Sequence, residues 1–239
     1  MKLSNGHQPL YKQVYDVLVT RLAEGHWKLA SPLPSEYALA DELGVSQGTV
    51  RKALNQMVAE NLLYRRQGKG TYVAEHTQES SLFRFFRFRE PSGKSLVPDT
   101  QLISMRRRKV NKSEKRYLQL EAGSEVNEMV RLRYLQDKPT ILETVIQPLS
   151  IFPELDKETD IPNSLYTLYQ EKYGISIIEV SEELRAIKSN NEHVKLLNVK
   201  QGEPLFAVDR ISFSINKRPV EWSQAYCSTE NFVYSVSLR

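Results

Sequence analysis

Residues 33–73 run LPSEYALADELGVSQGTVRKALNQMVAENLLYRRQGKGTYV, and no other segment says more about the architecture of the chain. The prolines of LASPLP exclude a helix before Ser35, which can cap a helix that ends at Gly44. Ser46 can cap a second helix, in which apolar residues recur at three- and four-residue steps: Val50, Ala53, Leu54, Met57 and Val58. Two helices joined by a tight glycine turn predict a helix-turn-helix.

The flanking segments extend this motif to a winged helix-turn-helix domain over residues 1–74. LLYRR (62–66) is followed by QGKG (67–70), whose last glycine begins GTYVAE (70–75), a pattern typical of a short hairpin. Upstream, apolar residues at helical spacing predict a further helix over 10–24.

The front of the second helix carries side chains suited to duplex DNA. In this motif the first residues of that helix enter the major groove, where Gln47 can pair with adenine and Arg51 can bind guanine or a phosphate. Ser46 and Thr49 are hydroxyl donors suited to phosphate, and Gly48 allows a close backbone approach. The alternative is a solvated helix start, since serine and glutamine are common there.

The predicted wing supplies a second set of DNA contacts. Lys69 adds a mobile charge at a turn that two glycines make tight, and Arg65 and Arg66 are expected to bind phosphates. The tip consists of Gln67, Gly68, Lys69 and Gly70. A hairpin turn with a lysine is common in any protein. The prediction of DNA contacts therefore depends on the position of this turn directly after the helix-turn-helix.

The rest of the chain is predicted to be α+β. We interpret residues 75–97 as an interdomain linker, part of it a possible strand packed on a neighbour, and 98–239 as a second domain. Strands are predicted at 99–110, 125–136, 139–147, 175–188, 204–215 and 218–228, and helices near 113–120, 163–174 and 191–197. Long antiparallel strands with a few helices on one side suggest a sheet with a sheltered cavity.

Several polar residues lie where these strands are expected to be buried. Arg131 and Arg133 alternate with apolar residues and therefore share one face of a strand. Ser164 and Tyr166 open a helix whose free N–H groups attract anions. With these four we group three residues of neighbouring strands as a pocket for a small anionic metabolite: Glu143, Glu221 and Tyr226. The alternatives are a structural ion network for the charges, a cap for the serine and packing for the tyrosine.

Composition narrows the class of protein. A single cysteine and four dispersed histidines give no metal-ligand spacing, so neither a metal nor another cofactor is expected. No apolar run reaches membrane-spanning length and the start has no signal core, which favours a cytoplasmic protein without membrane contact. Residues 1–110 carry a net charge of +7 and residues 111–239 one of −3, as expected of a head that binds a polyanion.

Three blocks within residues 8–74 together resemble the DNA-binding domain of GntR-family regulators: PLYKQVYDVLVTRLAEGHW, LPSEYALADELGVSQGTVRKAL and ENLLYRRQGKGTYV. The resemblance implies DNA contacts at Ser35, Tyr37, Ser46 to Thr49, Arg51 and Gln67 to Gly70. Many members have arginine where this chain has Gln47, which favours a changed half-site. LASPLPSE also lacks the usual glycine-containing turn.

Residues 98–239 resemble the UTRA effector-sensing domain of the HutC subfamily, whose fold is similar to chorismate lyase. The similarity is carried by VRLRYLQDKPTILET, PNSLYTLYQEKYG, EELRA and PVEWSQAY. It implies ligand contacts from the paired arginines, the Ser-x-Tyr and the two strand glutamates: Arg131, Arg133, Ser164, Tyr166, Glu143 and Glu221. The ligands of this subfamily include sugar phosphates and amino-acid catabolites.

These features together predict a homodimeric repressor that binds operator DNA and responds to a small molecule. An enzyme is the second hypothesis, suggested only by the lyase-like fold, and no catalytic motif supports it. A third is an architectural DNA-binding protein without an effector.

Overall fold

The computed structural model describes residues 8–74 and 85–236. The chain divides into two units, Met1–Glu75 and His76–Arg239.

The first unit is a helix-turn-helix followed by a hairpin, as predicted. Its elements are α1 (Leu10–Ala23), α2 (Glu36–Leu43), α3 (Gln47–Ala59), β1 (Leu63–Arg66) and β2 (Gly70–Val73). Gly44 has a φ of 66°, a left-handed conformation that glycine adopts at little cost, so α2 can stop and α3 can begin within three residues. The helices bury one apolar core: Val14, Leu18, Leu39, Val50, Leu54 and Met57.

The second unit is built on a six-stranded antiparallel sheet in the order β4-β5-β6-β9-β8-β7. The strands are β4 (Asp99–Lys109), β5 (Glu125–Leu135), β6 (Lys138–Pro148), β7 (Ile177–Lys188), β8 (Pro204–Ser214) and β9 (Pro219–Cys227). The helices are α4 (Lys112–Leu118), α5 (Leu165–Tyr173) and α6 (Asn191–Leu197). All six predicted strands and all three predicted helices are confirmed to within a few residues.

The helices cover both faces of this sheet, so the prediction that they lie on one side is wrong. On one face Met129 and Val145 pack against Tyr169 of α5. On the other, Leu132 and Leu142 contact Leu197 of α6, and α4 packs beside them through Leu118, Val126 and Ile146. Both faces of β5 and β6 carry apolar residues, which a second layer must shield from water.

Part of the predicted linker, after residue 84, forms a strand that packs on the second unit. β3 (Phe88–Arg89) pairs with β10 (Val233–Tyr234) in a separate two-stranded ribbon. Phe88 is buried with Leu135, Ile141 and Cys227. β3 agrees with the expectation that part of 75–97 is a strand packed on a neighbour, the assignment of 75–97 as an interdomain linker stays a prediction, and 75–84 lies outside the described residues.

Candidate functional site: a DNA-reading surface and an effector cavity

The start of α3 is ordered by its own hydroxyl groups. Ser46 accepts a hydrogen bond from the Thr49 backbone N–H at 3.2 Å, and the two side-chain oxygens lie 2.8 Å apart. Ser35 caps α2 in the same way, through the Ala38 N–H at 3.1 Å. Tyr37, in the first turn of α2, is 72% exposed. The caps fix where both helices begin and leave polar side chains on the surface.

Glu36 joins three of the predicted DNA-binding groups. Its carboxylate accepts hydrogen bonds from Gln47 Nε2 at 2.8 Å, from Arg51 Nε at 2.8 Å and from Arg65 at 3.1 Å. Arg65 also donates to Asn55 at 2.8 Å. Sequence reasoning did not predict Glu36, because an acidic residue in the first turn of a helix is expected from the helix dipole alone.

Packing within the described residues does not require a glycine at position 48. Of the described residues, a Cβ at this position would meet only Ser46 Oγ, at 3.9 Å. No described residue fills the space outside Gly48, which keeps the predicted close backbone approach available.

The wing has the turn geometry that its glycines predict. Gly68 and Gly70 have φ angles of 70° and 109°, so the exposed tip of Gln67 and Lys69 turns tightly. The Arg66 guanidinium lies over the ring of Tyr72 at 4.7 Å. It also lies 5.3 Å from the ring of Tyr64, so two aromatic rings hold this charge beside the tip.

The second unit contains a cavity of about 370 Å³, including its open mouth, on the α5 face of the sheet. Six of the seven residues predicted for an effector site line it: Arg131, Arg133, Glu143, Ser164, Tyr166 and Glu221. Among the described residues, five others also line it: Phe85, Phe86, Asn163, Leu165 and Arg210. The structure thus brings together side chains from four strands, one helix start and the segment before β3, and their role in binding stays a prediction.

Neither arginine of β5 is fully hydrogen-bonded, and Arg133 has the weaker partners. Arg131 donates to Glu143 through Nη2 at 2.5 Å, while its Nε and Nη1 have no hydrogen-bond partner among the described residues. Arg133 is 3.9 Å from Glu143, and it reaches the Asn163 carbonyl oxygen only at 3.4 Å. Burial, with Arg131 and Arg210 nearby, lowers the pKa of Arg133 to about 10 despite the opposing effect of Glu143. Arg133 is therefore a buried cation whose partners in the protein are poor.

The two glutamates of the cavity are in opposite electrostatic situations. Burial opposes ionisation of Glu143, but Arg131, Arg133 and Arg210 outweigh it and lower the pKa of that carboxyl. Glu221 accepts hydrogen bonds from Tyr169 at 2.5 Å and from Ser212 at 2.9 Å. Burial nevertheless raises the pKa of Glu221.

The start of α5 contributes two neutral groups to the cavity. Ser164 is buried, and its side chain makes no capping hydrogen bond, so the interpretation as a simple cap does not hold. The Tyr166 hydroxyl lies 2.8 Å from Ser212 Oγ. Ser164 is thus a hydroxyl that the helix itself does not use.

Tyr226 lies on the opposite face of the sheet, so its assignment to the cavity is wrong. Its ring packs on His193 at 4.5 Å, and its hydroxyl donates to Gln224 at 2.7 Å. Tyr226 is five residues from Glu221 in the same strand, and an odd spacing reverses the face. The alternation of side chains could have excluded it from the sequence alone.

Arg210 is the main cavity residue that sequence reasoning missed. It donates to Glu182 through Nε at 2.6 Å and to the Phe85 carbonyl oxygen at 2.8 Å. The neighbouring Phe86 ring lies 4.9 Å from the Arg133 guanidinium. The alternation of phenylalanine and arginine in 83–89 is the sequence signal for this wall, which includes Phe85 and Phe86.

The described residues show neither a membrane-spanning helix nor a metal site. None of their helices is both long and apolar enough to cross a membrane. Within the same residues, no three of the histidine, cysteine, aspartate and glutamate side chains come close enough to hold a metal ion.

A winged helix-turn-helix unit joined to a sheet with a polar cavity defines the class of ligand-sensing transcription regulators. The chain belongs to the GntR family of bacterial regulatory proteins: the model of that family matches residues 10–73, and the UTRA domain model matches residues 93–233. The resemblance predicted from the sequence is confirmed.

Two curated relatives match almost end to end. The mannosyl-D-glycerate transport/metabolism system repressor MngR of Escherichia coli (strain K12) is 30% identical over 232 residues, covering 97% of this chain and 96% of that protein. The histidine utilization repressor of Pseudomonas putida is 26% identical over 220 residues, covering 92% and 88%. The second of these relatives agrees with the predicted HutC-like branch.

A solved structure supports the fold of the second unit. The ligand-binding domain of a GntR-family transcriptional regulator from Bordetella bronchiseptica has a TM-score of 0.60 and 29% identity, covering 65% of this chain and 98% of that one. The protein is therefore a DNA-binding transcription regulator with an effector-binding domain of the UTRA type.

Proposed function

We propose that the protein is a cytoplasmic homodimeric repressor, that α3 and the wing contact its operator, and that an anionic metabolite in the cavity releases it. The DNA contacts are those predicted from the sequence at the capped start of α3 and at the wing tip. A single helix-turn-helix makes few contacts, and two copies on a palindrome are the usual solution.

The observation that carries the effector proposal is the poorly paired Arg133. Two of its three guanidinium nitrogens have only the distant partners described above, and Nε has none among the described residues. A buried cation without a good partner costs free energy unless a ligand supplies the counter-charge. A phosphate or carboxylate beside Arg133 and Ser164 would supply both the charge and the acceptor oxygens.

The names of the relatives agree with a polar ligand. One is named for mannosyl-D-glycerate, which carries a carboxylate, and the other for histidine utilization. Neither name transfers to this chain, but both belong to the chemical range that a cavity with three arginines and two glutamates can accept.

We also propose that the protein does not turn its effector over. A lyase-like fold does not by itself carry the activity, and both curated relatives are named repressors.

A thermal-shift screen tests the effector proposal. The probes are hexose 6-phosphates, sugar acids and carboxylated amino-acid derivatives, applied to the wild type, to Arg133→Gln and to Arg185→Gln. Arg185 is an exposed arginine on β7 that bonds Asp209, so it controls for loss of charge. We expect a compound that raises the Tm of the wild type and of Arg185→Gln but not of Arg133→Gln, and that lowers operator affinity about 5- to 150-fold.

The Tm without ligand separates a binding role from a structural one. If Arg133 is kept for a ligand, Arg133→Gln should be as stable as the wild type or more so, because it removes a buried charge with poor partners. A variant that is destabilised and still responds to the compound would contradict the proposal.

A further inference from the structure

Glu36 is an unexpected residue on a surface that must approach a polyanion. It is the first residue of α2, and its side chain is only 18% exposed. A carboxylate there repels phosphate, so it weakens DNA binding unless it does something else for the interface. The three hydrogen bonds that the carboxylate of Glu36 accepts indicate this second role at the interface.

The contact with Gln47 fixes the orientation of the amide. An ionised carboxylate can only accept, so the amide group that faces it must be the nitrogen, at 2.8 Å. The amide oxygen then points away from Glu36. Gln47 therefore presents its oxygen and the second N–H of the same amide in a fixed orientation, whereas a free glutamine can turn over.

This orientation limits which bases Gln47 can bind. The bond to Glu36 occupies only one of the two N–H groups of the amide, so the oxygen and the second N–H remain for a base. Adenine is the base that offers both a donor, N6–H₂, and an acceptor, N7, to this pair in the major groove. Guanine and thymine present only acceptors there, and cytosine presents only a donor, so each of them leaves one group of Gln47 without a partner.

Glu36 acts on Arg51 in a similar way. It binds Nε at 2.8 Å and leaves the two terminal nitrogens of a guanidinium whose side chain is 53% exposed. These terminal nitrogens form the end that binds guanine or phosphate in two-point contacts. One carboxylate thus orients both side chains while keeping their outward groups free.

We propose that Glu36 is a positioning residue for base recognition, and that it holds Gln47 in an orientation that selects adenine over the other three bases. The proposal rests on the proposed function in one respect, that the start of α3 lies against base edges.

The experiment is selection of bound sequences from a pool of random duplex DNA, with the full-length wild type, Gln47→Ala, Glu36→Gln and Glu42→Gln. Glu42 is the matched control, because it is on the same helix and pairs with Arg21 at 2.7 Å away from this cluster. Glu36→Gln keeps the size of the side chain, and its Tm is measured alongside.

We expect one position in each half-site at which the wild type and Glu42→Gln prefer adenine by about three- to tenfold, the value of one hydrogen bond. Gln47→Ala should abolish that preference. Glu36→Gln should abolish it as well, because its own amide can accept or donate and lets Gln47 turn over. Combining the two changes should add nothing at this position, as expected for residues that act through one contact.

Two results would overturn the inference alone. One is a preference for a base other than adenine at the position that Gln47→Ala abolishes, and the other is a profile that Glu36→Gln leaves intact. If Gln47→Ala changes no position, the start of α3 does not contact bases, and the proposed DNA interface fails with the inference. A general loss of Tm in Glu36→Gln with all positions weakened equally would show a purely structural role.

Discussion

At the scale of single residues, two glutamates on one cavity wall ionise differently because their neighbours differ. Glu143 lies among arginines that favour its charged form, whereas Glu221 is held by two hydroxyl groups. Two hydroxyls stabilise a carboxylate less than an arginine does, so burial dominates at Glu221 and raises its pKa.

The raised pKa of Glu221 predicts the pH dependence of stability. The unfolded chain loses this proton near the ordinary value of 4.5, while the folded chain keeps it to higher pH. The folded state then binds more protons, so the contribution of Glu221 is present below 4.5 and is lost as pH rises through the folded pKa. Glu221→Gln, which imitates the protonated carboxyl, should escape that loss.

Urea unfolding from about pH 4 to pH 8 checks this prediction. The free energy of unfolding of Glu221→Gln minus that of the wild type should grow with pH and then level off. Glu230→Gln, at an exposed position, is the control and should track the wild type. A difference that stays constant across the range would show that Glu221 ionises alike in both states.

At the scale of elements, the alternation of side chains along β9 separates the cavity from the core on the other face. Glu221 and Ser223 face the arginines, and Trp222 and Tyr226 face α4 and α6. Residues two apart in a strand share an environment and residues five apart do not. The position of Tyr226 along β9 therefore decides which face of the sheet its side chain is on.

Two tyrosine variants test this assignment. Tyr226→Phe should leave effector affinity unchanged, because its hydroxyl bonds Gln224 on the far face. Tyr166→Phe removes a hydroxyl at the cavity wall, and we expect it to weaken effector binding by about 1 kcal/mol, roughly fivefold. Calorimetric titration with the compound found by the screen measures both, and a large effect of Tyr226→Phe alone would contradict the assignment.

At the scale of the whole molecule, the proposed dimer requires an operator with two half-sites. Half-sites about 34–36 Å apart, one helical turn, would each receive one α3. We expect that destroying one half-site lowers affinity on the order of 100-fold, since the second head then gains nothing from being tethered. Gel-shift titration measures this, and equal affinity for one and two half-sites would contradict the dimer.

The sequence predicted most of this architecture and six residues of the cavity wall, for identifiable reasons. Caps, glycine turns and apolar periodicity are local, so the positions of α2, α3 and the strands follow from neighbouring residues alone. The place of Arg210 does not, because its bond to the Phe85 carbonyl joins positions 125 residues apart. That contact depends on the order of the strands in the sheet, which spacing along the chain does not determine.

Glu36 was missed for a different reason. Its place in the first turn of a helix has an adequate local explanation, and that explanation hides the longer contacts with Gln47 and Arg65. When one local role already explains the residue type, the sequence gives no reason to look for a second role.

The reactivity of the Cys227 thiol can report local opening of the folded protein. It is the single cysteine of the chain, fully buried at the end of β9, and burial raises the pKa of its thiol. Only the thiolate attacks alkylating reagents, so the native protein should resist them while any opened form is trapped at once. The rate of labelling therefore follows how often this end of the sheet opens, without any engineered probe.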